Sequence, residues 1–123
     1  SLTSPESNPD NNVIYQVQQY IELNFRKPFS QLECARHFYI NKDYMCRKFT
    51  STFHVNMVTY VNRLRIKEAC DMLANPTILI RDIAFQTGYR DEKYFSKRFK
   101  KERGLTPHEY RENLLRQENG TAR

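Results

Sequence analysis

The helical spacing of apolar residues limits the folds open to this chain more than any other feature of its sequence. This spacing is clearest at residues 80–110. Two short helical patterns in that segment are joined by a turn at Gly88. The second pattern places Tyr94, Phe95 and Phe99 at the spacing of one helix face. The positions between them are polar or charged: Arg90, Asp91, Glu92, Lys93, Ser96, Lys97, Lys100 and Lys101. The segment therefore predicts a short helix supported from behind by aromatics, with basic and hydrogen-bonding side chains in front.

The rest of the body has the same helical character. Glycine occurs only three times, and no period-two strand pattern persists. The apolar spacing and the turn residues predict about seven helices, at 13–24, 30–38, 42–53, 57–73, 80–87, 91–103 and from 107 onward. The expected fold class is all-α.

Capping residues mark several helix starts. Ser30 is followed three residues later by Glu33, which is the spacing of a capping box. Asn41 is a suitable N-cap for the third helix. Residues 106–109, which read TPHE, combine an N-cap, a proline at the first helical position and a capping-box glutamate.

An internal repeat relates the second and third helices to the fifth and sixth. Cys34-Ala35 and Ile83-Ala84 are 49 residues apart, whereas Met45 and Phe49 match Phe95 and Phe99 at an offset of 50. The second turn is therefore one residue longer than the first. A small alanine lets two helices approach closely and the turn fixes their angle, so each copy predicts a helix-turn-helix.

The helix expected at 57–73 has an unusually wide apolar surface. It is formed by Tyr60, Val61, Leu64, Ile66, Ala69, Met72 and Leu73. A helix exposed to water along only a narrow strip is expected to be covered from two sides. We expect it to act as a long linker helix between two helix-turn-helix subdomains and to stop at Asn75-Pro76.

The predicted organisation has five parts. A disordered linker or cloning remnant occupies 1–12, because this stretch is rich in Ser, Asn and Pro and lacks an apolar anchor. The first helix-turn-helix subdomain occupies 13–56, the linker helix 57–74, the second subdomain 75–117 and a disordered tail 118–123. Such a leading linker would fit a chain cut from a longer protein.

Positive charge is concentrated in the second half of the chain. Residues 1–61 carry six basic and five acidic side chains, and residues 62–123 carry fourteen and nine, which gives net charges of +1 and +5. A basic field in one half favours a polyanionic partner. A helical protein that is basic for reasons unrelated to binding would have the same charge. Net charge alone therefore favours neither interpretation over the other.

Other classes of function find little support. Cys34, Cys46 and Cys70 lack Cys-x-x-Cys spacing and the three histidines are scattered, so no metal site or disulfide framework is expected. Cys34 and Cys70 are expected to be buried thiols in a reducing compartment. Neither a catalytic constellation nor a cofactor motif occurs, so we expect no enzyme and no cofactor. Without a run long enough to span a bilayer, or a signal peptide, the protein is expected to be cytoplasmic.

The region from about Phe29 to Tyr110 resembles the DNA-binding domain of AraC/XylS-type bacterial transcription regulators. The matching motifs are Ile83-Ala84, Gly88-Tyr89, Tyr94-Phe95, Phe99-Lys100, Gly104-Leu105-Thr106-Pro107 and Tyr110-Arg111, together with Leu64-Arg65-Ile66 and Ala69. The segments Gly-Tyr-Arg-Asp (residues 88–91) and Lys-Tyr-Phe-Ser-Lys (residues 93–97) most resemble the YesN-like subgroup of two-component response regulators. Two positions depart from the pattern, since Tyr39 and His54 stand where the family often has glycine.

The resemblance implies sequence-specific binding of double-stranded promoter or operator DNA by the third and sixth helices. Base contacts are implied in the third helix at Asp43, Cys46 and Arg47. Arginine forks pair well with guanine, and a cysteine suits an apolar group such as a thymine methyl. Asp43 either accepts from cytosine or favours its helix N-terminus.

Further base contacts are implied in the sixth helix. The positions are Glu92, Lys93, Ser96 and Lys97. Glu92 either accepts from cytosine N4 or interacts with the helix dipole, and the lysines can reach guanine or phosphate. Phosphate contacts are expected from Lys42, Tyr44, Arg90, Tyr94, Lys100 and Lys101, with structural packing as the competing explanation for Tyr94.

The two reading helices are expected to enter successive major grooves, about 34 Å apart. An activator of this kind can also contact RNA polymerase subunits and dimerise through domains absent from this chain. A module that binds an acidic protein partner through its basic face is the main alternative, and it is compatible with DNA binding.

Overall fold

The computed structural model describes residues 9–121, and its side chains at 12–118. Within this range the chain forms helices only, which confirms the all-α fold class. The seven helices are α1 (Pro9–Asn24), α2 (Gln31–His37), α3 (Lys42–Phe53), α4 (Met57–Leu73), α5 (Ile80–Thr87), α6 (Glu92–Arg103) and α7 (Pro107–Thr121). None of these helices is both long and apolar enough to cross a membrane.

The chain divides into two compact units, at 1–61 and 62–123, with the boundary inside α4. The first unit buries apolar side chains from its four helical segments: Ile14, Val17, Ile21, Cys34, Ala35, Met45, Phe49, Met57 and Val61. Tyr60 in this unit donates a hydrogen bond to Glu22 of α1 at 2.6 Å.

The second unit has one continuous apolar cluster. Its members come from α4, α5, α6 and the turn before α6: Ile66, Ala69, Cys70, Leu73, Ile83, Ala84, Tyr89, Phe95 and Phe99. Cys34 and Cys70 are both buried free thiols, as expected. Phe95 and Phe99 are fully buried, whereas Tyr94 is 47% exposed, so its assignment to the buried stripe is wrong.

Helix starts follow the capping residues. The Asn41 side chain accepts a hydrogen bond from the Tyr44 amide at 2.9 Å. The Thr106 amide donates to Glu109 Oε1 at 2.9 Å, and the Glu109 amide donates back to Thr106 Oγ1 at 3.1 Å, which completes the expected capping box. At Ser30 the Glu33 amide donates to the hydroxyl at 3.2 Å.

The predicted bounds of the first and last helices need correction. Residues 9–12 belong to α1, because a proline is favourable at the first helical position and Pro9 occupies it. Residues 118–121 continue α7, which ends at Thr121. Both terminal helices therefore extend farther than the sequence predicts, and residues 1–8 and 122–123 lie outside the described part of the chain.

The two helix-turn-helix turns have the same hydrogen bonds at an offset of 49. The Tyr39 amide donates to the Arg36 carbonyl and the Ile40 amide to the Ala35 carbonyl. The amides of Gly88 and Tyr89 donate in the same way to the carbonyls of Phe85 and Ala84. Each turn is a Schellman motif closed by a residue with positive φ, which is Tyr39 in one copy and Gly88 in the other.

The extra residue of the second turn is Arg90. One residue separates Tyr39 from the N-cap Asn41, whereas two separate Gly88 from the N-cap Asp91. This difference accounts for the change of offset from 49 to 50 that the sequence predicts.

The repeat extends beyond the third and sixth helices. The C-cap residues are His54 for α3 and Gly104 for α6, and both have positive φ. The rings of Phe49 and Tyr60 meet edge to face at 5.4 Å, and those of Phe99 and Tyr110 at 5.5 Å. Each copy therefore includes the start of the following helix.

Candidate nucleic-acid interface

α3 is held to the first unit by its apolar face and presents its polar face to solvent. Met45 and Phe49 are fully buried. Arg47 is exposed, and the Asp43 side chain is 73% exposed, so both can reach a ligand. Lys42 Nζ lies 3.2 Å from Asp43 Oδ1. An exposed pair of this kind adds little stability and can separate at small cost.

Cys46 lies on the same polar face but is only partly exposed. Its pKa is raised, chiefly by burial, with Lys42 opposing and Asp43 adding to the effect. The thiol is therefore protonated near neutral pH and offers a small, nearly apolar surface, as a thymine methyl contact requires. Tyr44 is also partly buried.

The base contacts predicted for the second helix-turn-helix lie along one face of α6. Asp91 caps the helix by accepting from the Lys93 amide at 3.0 Å. Glu92, Lys93 and Lys97 are exposed and Ser96 is partly buried. An open surface concavity of about 680 Å³ is lined by Asp91, Glu92, Lys93, Ser96, Lys97, Lys100 and Thr106. All four base contacts predicted for α6 therefore lie together, and Lys100, a predicted phosphate contact, lies beside them.

The other phosphate candidates of this unit lie outside the concavity. Arg90 is exposed in the turn before α6, and Lys101 is exposed in the last turn of the helix. Tyr94 is half-exposed, and its ring centroid lies 5.8 Å from that of Tyr89. Cations near a helix C-terminus are also favoured by the helix dipole, which offers a structural explanation for Lys100 and Lys101.

A buried polar cluster supports the turn that positions α6. The Tyr89 hydroxyl donates to Asn62 Oδ1, and the Arg65 guanidinium lies 5.1 Å from the centre of the Tyr89 ring. Burial raises the pKa of Tyr89 and lowers that of Arg65. The apolar pattern of α4 did not reveal Asn62 and Arg65 as buried residues, although Arg65 lies within the family motif.

Arg111 has a structural function that the sequence analysis missed. Its Nε donates to the Leu73 carbonyl at 3.0 Å, and its Nη2 donates to the carbonyls of Asn75 at 3.0 Å and Ile78 at 2.7 Å. Arg111 thereby joins α7 to the end of α4 and the loop that precedes α5. The only sequence signal was its place beside Tyr110 in the family motif.

The back of α6 is fixed by ion pairs. Glu102 accepts from Arg63 of α4 at 3.2 Å and from Arg98 at 3.4 Å. The side chains of Arg98 and Glu102 are only 13% and 14% exposed, so this pair is not available to a ligand. No group of three or more His, Cys, Asp or Glu side chains suited to a metal ion occurs within the described residues.

Comparison with known proteins identifies the family. A helix-turn-helix domain model matches residues 34–113, which is about two thirds of the chain. The uncharacterized HTH-type transcriptional regulator YdiP of Escherichia coli is 26% identical over 99 residues, covering 80% of this chain and 33% of YdiP. The chain thus spans about a third of that relative's length.

Solved structures have the same fold. The C-terminal domain of the two-component response regulator YesN from Fusobacterium nucleatum superposes with a TM-score of 0.76 at 26% identity, covering 81% of this chain and 98% of that one. The DNA-binding domain of AdpA, solved with a target DNA, gives a TM-score of 0.78 at 17% identity, covering 85% and 94%. The chain belongs to the AraC-type helix-turn-helix domain family.

Proposed function

We propose that this chain binds double-stranded DNA in a sequence-specific manner and regulates bacterial transcription, with α3 and α6 as its two reading helices. The observation that carries the proposal is the face of α6, where Glu92, Lys93, Ser96 and Lys97 line one open surface. These side chains lie in the N-terminal half of the second helix of a helix-turn-helix, which is the part that meets base edges.

Charge supports a polyanionic partner. The second unit, residues 62–123, carries the net charge of +5. Exposed lysines and arginines on and beside α6 attract phosphates and fix the position of the helix, while the side chains at its start read bases. AdpA, which has this fold, was solved with a target DNA.

The base contacts we propose are those of the two reading faces. They are Asp43, Cys46 and Arg47 on α3 and Glu92, Lys93, Ser96 and Lys97 on α6. Lys42, Tyr44, Arg90, Tyr94, Lys100 and Lys101 are proposed to contact phosphates. One helix in each of two successive major grooves gives an asymmetric site of about two helical turns.

The chain is proposed to be the output domain of a longer regulator. YdiP is an HTH-type transcriptional regulator of which this chain spans 33%, and YesN is a two-component response regulator whose C-terminal domain has this fold. We assign no enzymatic activity to the domain and expect it to act in the cytoplasm. Contacts with RNA polymerase subunits and dimerisation through other domains belong to the same proposal.

Selection of bound sequences from a random duplex pool tests the function. The 123-residue chain is expected to enrich one asymmetric motif with two conserved blocks centred about ten base pairs apart. Affinity for the selected duplex should fall steeply with salt, by a log–log slope of about 0.9 for each phosphate neutralised. Enrichment of no motif, or a flat salt response, would contradict the proposal.

A further inference from the structure

Tyr39 has an unusual combination of backbone conformation and exposure. Its φ is 58°, in the left-handed region that bulky side chains rarely adopt. Its side chain is 95% exposed, so burial of the ring does not compensate for that conformation. The fold of the first unit therefore does not explain why a tyrosine occupies this position.

The turn requires a left-handed residue, and glycine meets that requirement in the second unit. The amide of Tyr39 donates to the Arg36 carbonyl at 3.2 Å, and Gly88 donates to the Phe85 carbonyl at the same distance. Glycine adopts positive φ without steric cost, so it would close the first turn as well. A residue that keeps a strained backbone conformation, although its side chain adds no stabilising contact to the fold, is often functional.

The position of Tyr39 indicates the function. It lies two residues before Asn41, the N-cap of α3, and three before Lys42. Three residues span at most about 11 Å between Cα atoms, so the backbone of Tyr39 lies within that distance of the helix start that carries the proposed base contacts. Tyrosine hydroxyls are among the side-chain groups that donate hydrogen bonds to DNA phosphates.

We infer that the Tyr39 hydroxyl donates a hydrogen bond to a backbone phosphate beside the groove that α3 enters. Tyr39 is thus a positioning residue that fixes α3 on the duplex without reading a base. The inference rests on the DNA binding proposed above. It concerns the first helix-turn-helix alone, because Gly88 offers no side chain at the matching position.

His54 provides a matched control. It is the other described non-glycine residue with positive φ, at 60°, and it matches Gly104 at the end of α6. Histidine tolerates this conformation better than tyrosine does. His54 follows the last turn of α3, at the opposite end from the N-terminal half that meets bases.

The test compares Tyr39→Phe, Tyr39→Gly and His54→Gly in the full chain. Affinity is measured on the duplex that the wild-type chain selects from a random pool, together with the salt slope and Tm. Both Tyr39 variants are expected to bind roughly fivefold more weakly, because each loses the hydroxyl. The salt slope should stay unchanged, since a neutral hydroxyl displaces no counterion. Tm of Tyr39→Gly should equal or exceed the wild-type value, and His54→Gly should bind as the wild type does.

The outcomes separate this inference from the proposed function. Wild-type affinity in Tyr39→Phe would overturn the hydroxyl contact, even if Tyr39→Gly bound more weakly through loss of its ring. If Tyr39→Phe binds as the wild type does while Tyr39→Gly and His54→Gly lose affinity equally, the loss follows from the glycine and the hydroxyl contact is again overturned. A wild-type chain that enriches no duplex would instead contradict DNA binding itself.

Discussion

The Tyr89 hydroxyl donates a hydrogen bond to Asn62 Oδ1, and both residues are buried in the second unit. Tyr89 is the residue after Gly88 in the turn that precedes α6, so its side chain joins that turn to α4. A side-chain hydrogen bond therefore links α4 to the turn from which α6 begins.

Asn62→Ala is expected to lower the free energy of unfolding by about 1–3 kcal/mol, because the Tyr89 hydroxyl loses its acceptor while still buried. Urea titration followed by circular dichroism measures the change. The double variant Asn62→Ala/Tyr89→Phe should lose less than the sum of the two single variants, since it leaves no unpaired hydroxyl. Simple additivity would contradict the importance of this bond.

Arg47→Ala is expected to remove discrimination at about one base pair of the selected site, at a cost of about 1–3 kcal/mol in binding free energy. A panel of duplexes with single base changes measures the loss by fluorescence anisotropy. Arg116→Ala is the control, because it removes the same charge from an exposed side chain on α7 that pairs with Glu112. A uniform loss across the panel would mean that Arg47 contacts phosphate only.

Lys97 and Lys101 form a matched pair on one helix, since only Lys97 lines the concavity of α6. Lys97→Ala should weaken preference at particular base pairs. Lys101→Ala should weaken binding equally on all duplexes and reduce the salt slope by about 0.9. Anisotropy titrations at several salt concentrations distinguish the two effects. Identical behaviour of both variants would contradict the division into base and phosphate contacts.

Arg111→Lys is expected to destabilise the second unit by about 2 kcal/mol although the charge is retained. A lysine ammonium lacks the planar fork that reaches three carbonyls at once. Thermal denaturation with Arg116→Lys as control measures the difference. Equal Tm values for the two variants would show that the hydrogen bonds of Arg111 do not stabilise the protein.

The Glu109 carboxylate should make stability depend on acid pH. Its pKa lies below the ordinary value of 4.5, mainly because the Thr106 amide donates to it. A lowered pKa in the folded state adds stability above the unfolded pKa, and this stability disappears as pH falls through the folded value. Glu109→Gln should therefore lower Tm near pH 7, with a difference that shrinks below 4.5. In a Thr106→Ala background this pH dependence should be reduced but persist, because the backbone amide of residue 106 still donates to Glu109 after the hydroxyl is lost. A difference in Tm that does not change with pH would contradict this account.

Sequence reasoning succeeded where local signals agreed. α3, α4 and α5 have the expected bounds. Capping residues favour the start of a helix, and Asn75-Pro76 favours its end, so these residues locate helix bounds in the sequence. The terminal helices extend farther than expected, because polar residues without an apolar anchor still continue a helix when nothing breaks it.

Helix periodicity separates Tyr94 from Phe95, although the sequence pattern grouped both of them with Phe99. Neighbouring residues differ by 100° around a helix, so the aromatic pair cannot be centred on one buried stripe. Phe95 packs with Phe99, whereas Tyr94 is half-exposed. Asn62 and Arg65 escaped notice for a different reason, since a pattern of apolar residues does not identify polar groups that are buried with partners.

The additional residue Arg90 has a consequence for engineering. Exchange of α3 and α6 between the copies would place each helix behind a turn of the wrong length, and its side chains would then face in a different direction. A transferable cassette must therefore begin at the alanine of the preceding helix and end after the N-cap of the following one. In this chain those cassettes are residues 35–57 and 84–107.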